Sequence, residues 1–325
     1  MTKRRASGVL GSAILKAFQQ SEGTNVIGLC HSRVGLNLEK LDLTNREEVR
    51  EYFNKSRPQW VIHCAAERRP DVAEKDPAAA QRLNGEVPGY LTELSKRLRF
   101  KLVYISTDYV FDGTSPPYTP SSATNPLQLY GKSKRDGELA VLGVDGAESI
   151  VLRVPVLYGP APKNSDSAIN ILLDIVHDQS GKTYKMDHYA TRYPTNVVDI
   201  AGFVVRLTGM SNGATITTLV RNPVSQPSLT LAILVDTDYK DPIPPILHYS
   251  ADEPFTKYEI CLTFAKILGL PHKHIIPDAE PPTGEGATTR PRDCHLYTKE
   301  TEDLRIEGGL GLSLFEEWWT EHLKR

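Results

Sequence analysis

The stretch that decides the fold is residues 6–29, ASGVLGSAILKAFQQSEGTNVIGL. A glycine-containing turn leads into a helix-like pattern and then an apolar run, an order typical of dinucleotide-binding proteins. Gly8 and Gly11 let the backbone approach a pyrophosphate and let the helix pack close to its strand. The start of that helix offers unpaired N–H groups and a partial positive charge. A G-x-x-G turn alone is a weak signal, and the strand-like run after it strengthens the interpretation.

The apolar strand that should precede this turn is missing from the sequence. Arg5 stands where the first glycine of the motif is expected, and residues 1–5 are too polar for a buried central strand. We therefore expect a sheet without its first strand, because the sequence is truncated or starts at the wrong position.

Apolar runs and helical patterns alternate along the first half of the chain. Strands are predicted at 25–29, 60–63, 102–105 and 149–152, and helices at 11–20, 46–55, 77–98 and 125–141. This alternation predicts the α/β class, with a Rossmann-type doubly wound parallel sheet. We expect a Rossmann domain over residues 1–160. A smaller C-terminal α/β lobe is expected over 161–325, with a strand and a helix returning to the Rossmann core, and short helices are predicted there at 257–268 and 313–323.

One segment, residues 215–245, has neither a clear periodicity nor the composition of a turn-rich loop. A connection of this length is uncommon in a compact domain. A functional lid, a disordered insertion and a translated intron are the three interpretations, and the third is favoured because the flanking sequence is typical of one continuous fold.

Composition argues against several classes of protein. A net charge of −2 gives no general attraction to nucleic acid or to an anionic membrane, and no apolar run reaches the roughly 18 residues of a membrane span. The four cysteines are far apart and form no C-x-x-C pair, which argues against a zinc site and a disulfide scaffold. We expect no metal, reduced thiols and a cytoplasmic location.

The residues after the run at 25–29 bear on the choice of cofactor. An NAD-binding protein usually has an acidic residue there, whereas this chain has Cys30, His31, Ser32 and Arg33. A guanidinium suits a 2′-phosphate, so Arg33 favours NADP(H), although a solvated surface arginine remains the alternative. Asp42 and Leu43 are expected to approach the adenine.

Tyr130 and Lys134 form a Y-x-x-x-K pattern that places both side chains on one face of a helix. A nearby ammonium is expected to lower the pKa of the tyrosine and to prepare it for proton transfer. Thr107 follows the run at 102–105, where its hydroxyl is placed to bind a carbonyl that accepts hydride. Thr107, Tyr130 and Lys134 are therefore the predicted catalytic residues.

These residues resemble the extended short-chain dehydrogenase/reductase superfamily. The stretch STDYVFDG, residues 106–113, narrows the resemblance to the RmlD-like, dTDP-4-dehydrorhamnose reductase branch. Related dehydratases have a glutamate where this chain has Tyr109, so dehydration is disfavoured.

Within that branch, the chain resembles the regulatory beta subunits of methionine adenosyltransferase. The resembling stretches are HCAAERRPDV (63–72), LYGKSKRDG (129–137), LRVPVLYG (152–159), MDHYATRYPTNVV (186–198), FTKYEI (255–260) and RPR (290–292). HCAAERRPDV and MDHYATRYPT carry the most weight, because generic reductases do not share them.

The resemblance implies an NADP-binding subunit that associates with the catalytic subunit of methionine adenosyltransferase and modulates S-adenosylmethionine synthesis, a part of one-carbon metabolism. The alternative is an NADPH-dependent sugar-nucleotide ketone reductase that uses Thr107, Tyr130 and Lys134, so enzymatic activity is left open. The cofactor contacts expected from the glycine turn and from the resemblance are Ser7, Gly8, Val9, Leu10, Gly11, Arg33, Asp42, Leu43, Cys64, Ala65, Arg68, Tyr130, Lys134 and Leu157.

Overall fold

The computed structural model describes residues 8–21, 24–31, 38–68, 70–209, 215–219, 243–281 and 290–323. The helices are α1 Val9–Gln19, α2 Arg46–Ser56, α3 Pro70–Lys75, α4 Pro77–Gln81, α5 Val87–Leu98, α6 Leu129–Leu142, α7 Ile171–His177, α8 Val197–Leu207, α9 Lys257–Leu268, α10 Lys299–Glu302 and α11 Phe315–Leu323. The strands are β1 Asn25–Cys30, β2 Leu38–Lys40, β3 Trp60–His63, β4 Lys101–Thr107, β5 Ser149–Val154, β6 Leu157–Tyr158, β7 Tyr184–Asp187, β8 Thr195–Asn196, β9 Thr215–Leu219, β10 Ile246–His248 and β11 Ile275–Asp278.

Seven strands form the main sheet in the order β10-β5-β4-β3-β9-β1-β2, and every neighbouring pair is parallel. Successive residues of the central strands point to opposite faces, so each face has its own core. Ile62 and Val103 pack with α1 and α8, whereas Val61 and Leu102 pack with α2 and α5. This arrangement confirms the predicted doubly wound α/β fold.

The centre of the sheet holds a strand that was not predicted. β9 lies between β1 and β3, with Thr217 opposite both Ile27 and Val61. A gap between β1 and β3 would leave two rows of backbone N–H and C=O groups unpaired, and β9 satisfies both rows. The first five residues of the segment predicted as an insertion therefore belong to the sheet, whereas residues 220–242 and residues 1–7 lie outside the described part of the chain.

The helix predicted over 77–98 is divided into three parts. α4 and α5 are separated by a π-helical turn, Arg82–Glu86. The other predicted helices and strands of the first half are present, with bounds shifted by four residues at most.

The second half of the chain contributes a separate apolar cluster. Helices α7, α9 and α11 pack around Leu172, Phe264 and Trp319, next to the two-stranded pair of β7 and β11. The predicted helix at 257–268 matches α9, and the helix predicted at 313–323 begins two residues later. The predicted boundary at residue 160 stays a prediction. Across the described residues, we find no helix with the length and hydropathy of a membrane span.

Candidate functional site

The predicted phosphate-binding turn opens α1 at the C-terminal edge of the sheet. Gly8 is the N-cap residue, with extended backbone angles (φ −63°, ψ 120°), and it has no side chain that could cap the first turn. A Cβ atom built on Gly8 would have no atom of the described residues within 4 Å. Val9, Leu10 and Gly11 form the first turn and are buried. The backbone N–H groups at the start of a helix lack partners within the helix, and such groups fit a phosphate.

The residues expected to select the cofactor are only partly described. Ser7 and Arg33 lie outside the described residues. Asp42 accepts hydrogen bonds from the Thr44 N–H (3.0 Å) and the Thr44 hydroxyl (2.7 Å), and His31 Nε2 lies 3.8 Å from its carboxylate. Leu43 packs at the edge of the apolar cluster around Phe53. Asp42 and Leu43 follow β2, and their contact with the adenine stays a prediction.

The end of β3 brings His63, Cys64 and Ala65 to the same edge. His63 is buried and stacks on Tyr104, with ring centroids 5.7 Å apart, and no described residue bonds to either ring nitrogen. Burial, and then the neighbouring ammonium of Lys134, lower the pKa of His63 to about 3. Burial raises the pKa of Cys64 to about 12, so its thiol stays protonated at neutral pH. Cys64 is thus a small pocket residue and a poor nucleophile.

Thr107 and Tyr130 meet where β4 ends and α6 begins. The Thr107 hydroxyl donates to Asp108 Oδ1 (2.9 Å) and lies close enough to the Tyr130 phenol to lower the pKa of Tyr130 against the effect of burial. Gly131 makes this approach possible, because a Cβ atom there would lie 2.2 Å from the Tyr109 carbonyl oxygen. The structure therefore brings the strand-end hydroxyl and the tyrosine together.

Lys134 lies on the same face of α6 but is directed inward. Its ammonium donates to the Ile105 carbonyl oxygen (2.7 Å) and sits 3.9 Å from the centre of the Tyr104 ring. Burial lowers the pKa of Lys134 to about 7, although the charge of Glu138 acts in the opposite direction.

The expected activation of Tyr130 by Lys134 is wrong for the structure described here. Burial is the largest influence and raises the pKa of Tyr130 above its ordinary value, and the Thr107 hydrogen bond only partly offsets it. The physical reason is that both groups are withdrawn from water, and the ammonium is held by Ile105 and Tyr104.

Asn84, in the π-helical turn, is a site residue that sequence reasoning missed. Its side chain donates to the Glu67 carbonyl (3.0 Å) and to Ser133 Oγ (3.1 Å), and accepts from the Glu67 N–H (2.9 Å). It thereby links the loop after β3 to the helix that carries Tyr130 and Lys134. The available signal was the Asn84-Gly85 pair inside a helical pattern, because glycine there weakens a regular helix.

Arg68 and Leu157 approach the site from separate segments. Arg68 donates to the Asp166 carbonyl (2.6 Å), and its charge lowers the pKa of Tyr130 slightly against the effect of burial. Leu157, in β6, packs against the core around α1, and its carbonyl oxygen accepts a hydrogen bond from Ser167 Oγ (2.7 Å). Within the described ranges, no group of three His, Cys, Asp or Glu residues is placed to hold a metal ion.

Solved structures that superpose on this chain include dTDP-4-dehydrorhamnose reductases and proteins in complex with UDP sugars. A hypothetical dTDP-4-dehydrorhamnose reductase from Sulfolobus tokodaii superposes with a TM-score of 0.70 at 22% identity, over 95% of both chains. The Bacillus anthracis dTDP-4-dehydrorhamnose reductase in complex with NADP gives 0.69 at 20% identity, over 93% of this chain and 99% of that one. MoeE5 in complex with UDP-glucuronic acid and NAD superposes with a TM-score of 0.69 at 17% identity, over 97% of both chains. These similarities establish the fold, which holds NADP in one neighbour and NAD in another.

Sequence comparison is more specific. The RmlD substrate binding domain model matches residues 5–218. Methionine adenosyltransferase 2 subunit beta from Xenopus laevis is 38% identical over 301 residues, covering 93% of this chain and 81% of the relative, and the Rattus norvegicus protein is 37% identical with the same coverage. A dTDP-4-keto-6-deoxy-D-glucose reductase from Streptomyces niveus is 33% identical over 62% of this chain and 66% of its own. The chain therefore belongs to the RmlD substrate binding domain family and, within it, to the family of methionine adenosyltransferase 2 beta subunits.

Proposed function

We propose that this chain is a regulatory subunit of methionine adenosyltransferase, which binds the catalytic subunit and modulates S-adenosylmethionine synthesis. Its similarity to the beta subunits extends over 93% of the chain. That similarity is the observation that carries the proposal. The ammonium of Lys134 is engaged by the Ile105 carbonyl and the Tyr104 ring, an arrangement that suits a residue holding this part of the site in place.

The proposed cofactor is NADP(H), which would supply a nicotinamide able to exchange hydride. The start of α1 at Gly8 would receive its phosphates, and α6, which carries Tyr130 and Lys134, packs on the opposite face of the sheet. Arg33 supports NADP(H) over NAD(H) on sequence grounds. NADPH should raise the unfolding temperature more than NADH does at equal concentration, because a ligand stabilises the state that binds it.

The proposed location is the cytoplasm, where S-adenosylmethionine synthesis would use the subunit. Support comes from the four cysteines, all of which are free thiols, as is usual in a reducing compartment.

Association with the catalytic subunit from the same organism tests the main proposal. The two purified chains should elute together in size-exclusion chromatography, and S-adenosylmethionine formation should show altered kcat or KM when this chain is added. An equal amount of an unrelated Rossmann protein serves as the control. Separate elution combined with unchanged kinetics would refute the proposal.

A reductase of sugar-nucleotide ketones is the second candidate, favoured by the proximity of the Thr107 hydroxyl to the phenol of Tyr130. NADPH consumption with a dTDP-4-keto-6-deoxy sugar should then fall by about 100-fold or more in Tyr130→Phe, because a general acid contributes roughly that factor. Tyr184→Phe, in the separate strand pair of β7 and β11, is the matched control. Equal rates in the parent and Tyr130→Phe would exclude Tyr130 as the general acid.

A further inference from the structure

The N-terminal edge of the main sheet, opposite the edge that carries Gly8 and Thr107, is bordered by basic residues. Helix α2 ends just before β3 begins, and α5 ends just before β4 begins, so both helices end at this edge. The ends of the two helices and the start of β4 contribute six cationic side chains, all of them exposed. We call these residues together the basic edge: Lys55, Arg57, Lys96, Arg97, Arg99 and Lys101.

Packing beneath the basic edge brings its three elements together. Phe53 of α2 and Phe100, which follows α5, stack with ring centroids 5.4 Å apart, so the two helix ends lie side by side. Lys101 lies opposite Trp60 in the sheet, and its backbone N–H donates to the Gln59 carbonyl oxygen (2.8 Å). Because the axes of packed helices are roughly 10 Å apart, a few residues of extended chain would span the basic edge.

Most of the charge of the basic edge is not neutralised. Lys101 Nζ lies 3.1 Å from the carboxylate of Glu148 and 5.4 Å from the centre of the Trp60 ring. Glu51 and Glu93 are exposed on α2 and α5, but each stands about one turn before the cationic end of its helix. Across the part of the chain that the structure describes, no carboxylate is within ion-pair distance of the other five cations. The whole chain has a net charge of −2, so this surplus of cations is local.

Two arginines of the basic edge have a backbone conformation that favours glycine. Arg57 (φ 45°, ψ 57°) and Arg99 (φ 60°, ψ 42°) are the C-cap residues of α2 and α5, in the left-handed region. Glycine is the usual residue at such a position, because any side chain raises the free energy of the left-handed conformation. The helix dipole favours a cation in the last turn, and Arg57 Nε also donates to the Asn54 carbonyl oxygen (2.9 Å). Neither effect requires arginine in place of the terminating glycine of both helices.

We propose that the basic edge is a docking surface for an acidic segment of a partner protein, with Arg57 and Arg99 as its central contacts. A guanidinium binds a carboxylate through two parallel N–H donors, and a cluster of cations steers an acidic segment toward it. Single-stranded nucleic acid fits less well, because its bases stack on exposed aromatic rings. The rings at the basic edge are buried, with Trp60 7%, Phe53 0% and Phe100 1% exposed.

Fluorescence anisotropy of a labelled hexaglutamate peptide, titrated with the full chain at low ionic strength, measures binding to the basic edge. The double variant Arg57→Gly/Arg99→Gly should bind the peptide about ten-fold more weakly, since each exposed ion pair contributes a factor of a few to affinity. Its unfolding temperature should equal or exceed that of the parent, because glycine relieves the left-handed conformation at both positions. Loss of the fold would therefore not explain weaker binding.

Arg305→Gly provides the comparison. Arg305 is exposed and also has a positive φ (51°), but it follows Leu304, which packs in the apolar cluster on the other face of the sheet. This variant should bind hexaglutamate as the parent does.

Two results would overturn the proposal. The first is equal affinity of the parent and the double variant for hexaglutamate. The second is displacement of the labelled peptide by a uridine hexanucleotide, or by phosphatidylserine vesicles, at a lower concentration than by unlabelled hexaglutamate. These measurements do not involve the catalytic subunit of methionine adenosyltransferase, so their outcome is independent of the proposed function.

Discussion

At the residue scale, Lys134 makes the stability of the fold depend on pH. Burial holds its pKa at about 7 in the folded chain, against 10.5 for an ordinary lysine. Between these values the unfolded chain binds one more proton than the folded chain, so this group adds to stability as the pH rises through that window. The free energy of unfolding of the parent, minus that of Lys134→Met, should increase by about 2 kcal/mol from pH 7 to pH 9.

Chemical denaturation at several pH values measures this difference, and the subtraction cancels the other titrating groups. Lys132→Met, two residues earlier on α6 and exposed, is the matched control and should show no such increase. A flat difference for Lys134→Met would mean that Lys134 titrates like a solvated lysine. The sequence predicted that Lys134 lies on the same face of α6 as Tyr130. It did not predict the direction of the change in the pKa of Lys134, because desolvation depends on the packing of Tyr104 and Ile105 around the ammonium.

At the element scale, α6 depends on a glycine that has no role in cofactor chemistry. A Cβ atom on Gly137 would lie 2.2 Å from the Asn84 carbonyl oxygen and 2.3 Å from the Tyr104 hydroxyl. The Tyr104 hydroxyl donates to the same Asn84 carbonyl oxygen (2.9 Å). Moving either oxygen away from the new Cβ atom would therefore break this buried hydrogen bond. Gly137→Ala should lower the free energy of unfolding by about 1–3 kcal/mol, as overpacking of a core does.

Gly202→Ala, in the middle of α8, provides the comparison. The nearest atom to its new Cβ would be Arg206 Nη1 at 3.3 Å, at the end of a long side chain. Alanine favours a helix over glycine by up to about 1 kcal/mol, so this variant should be neutral or more stable. Equal effects of the two substitutions in thermal unfolding would contradict the close packing of α6 on the π-helical turn.

These helices also show what periodicity is able to predict. Their apolar spacing located α1, α2 and α6 to within a few residues, because one face of each helix packs on the sheet. The π-helical turn between α4 and α5 leaves no mark in that spacing. The π-helical turn contains Asn84. The Asn84 side chain hydrogen-bonds to Glu67 and Ser133, and its carbonyl oxygen accepts from the Tyr104 hydroxyl. All three partners are distant from Asn84 in the sequence.

At the scale of the whole molecule, the order of strands in the sheet escaped sequence reasoning for a related reason. Four strands were predicted because their residues are mostly apolar, as in strands that are buried on both faces. Three of the five residues of the segment 215–219, TITTL, are threonine, and the segment shows no alternation that distinguishes it from a loop. Its strand character follows from where it lies, since β1 and β3 both offer it a row of unpaired backbone groups.

The central position of β9 predicts that the sheet cannot form without it. Every N–H of a strand paired on both sides donates to one neighbour or the other, so a proline within β9 removes a ladder hydrogen bond. Thr217→Pro should lower the free energy of unfolding by about 3 kcal/mol or more, or abolish cooperative unfolding. Thr217→Val keeps the backbone N–H and the branched side chain. Its unfolding temperature, measured by circular dichroism, should be close to that of the parent. Parent-like stability of Thr217→Pro would show instead that residues 215–219 are dispensable, as an inserted segment would be.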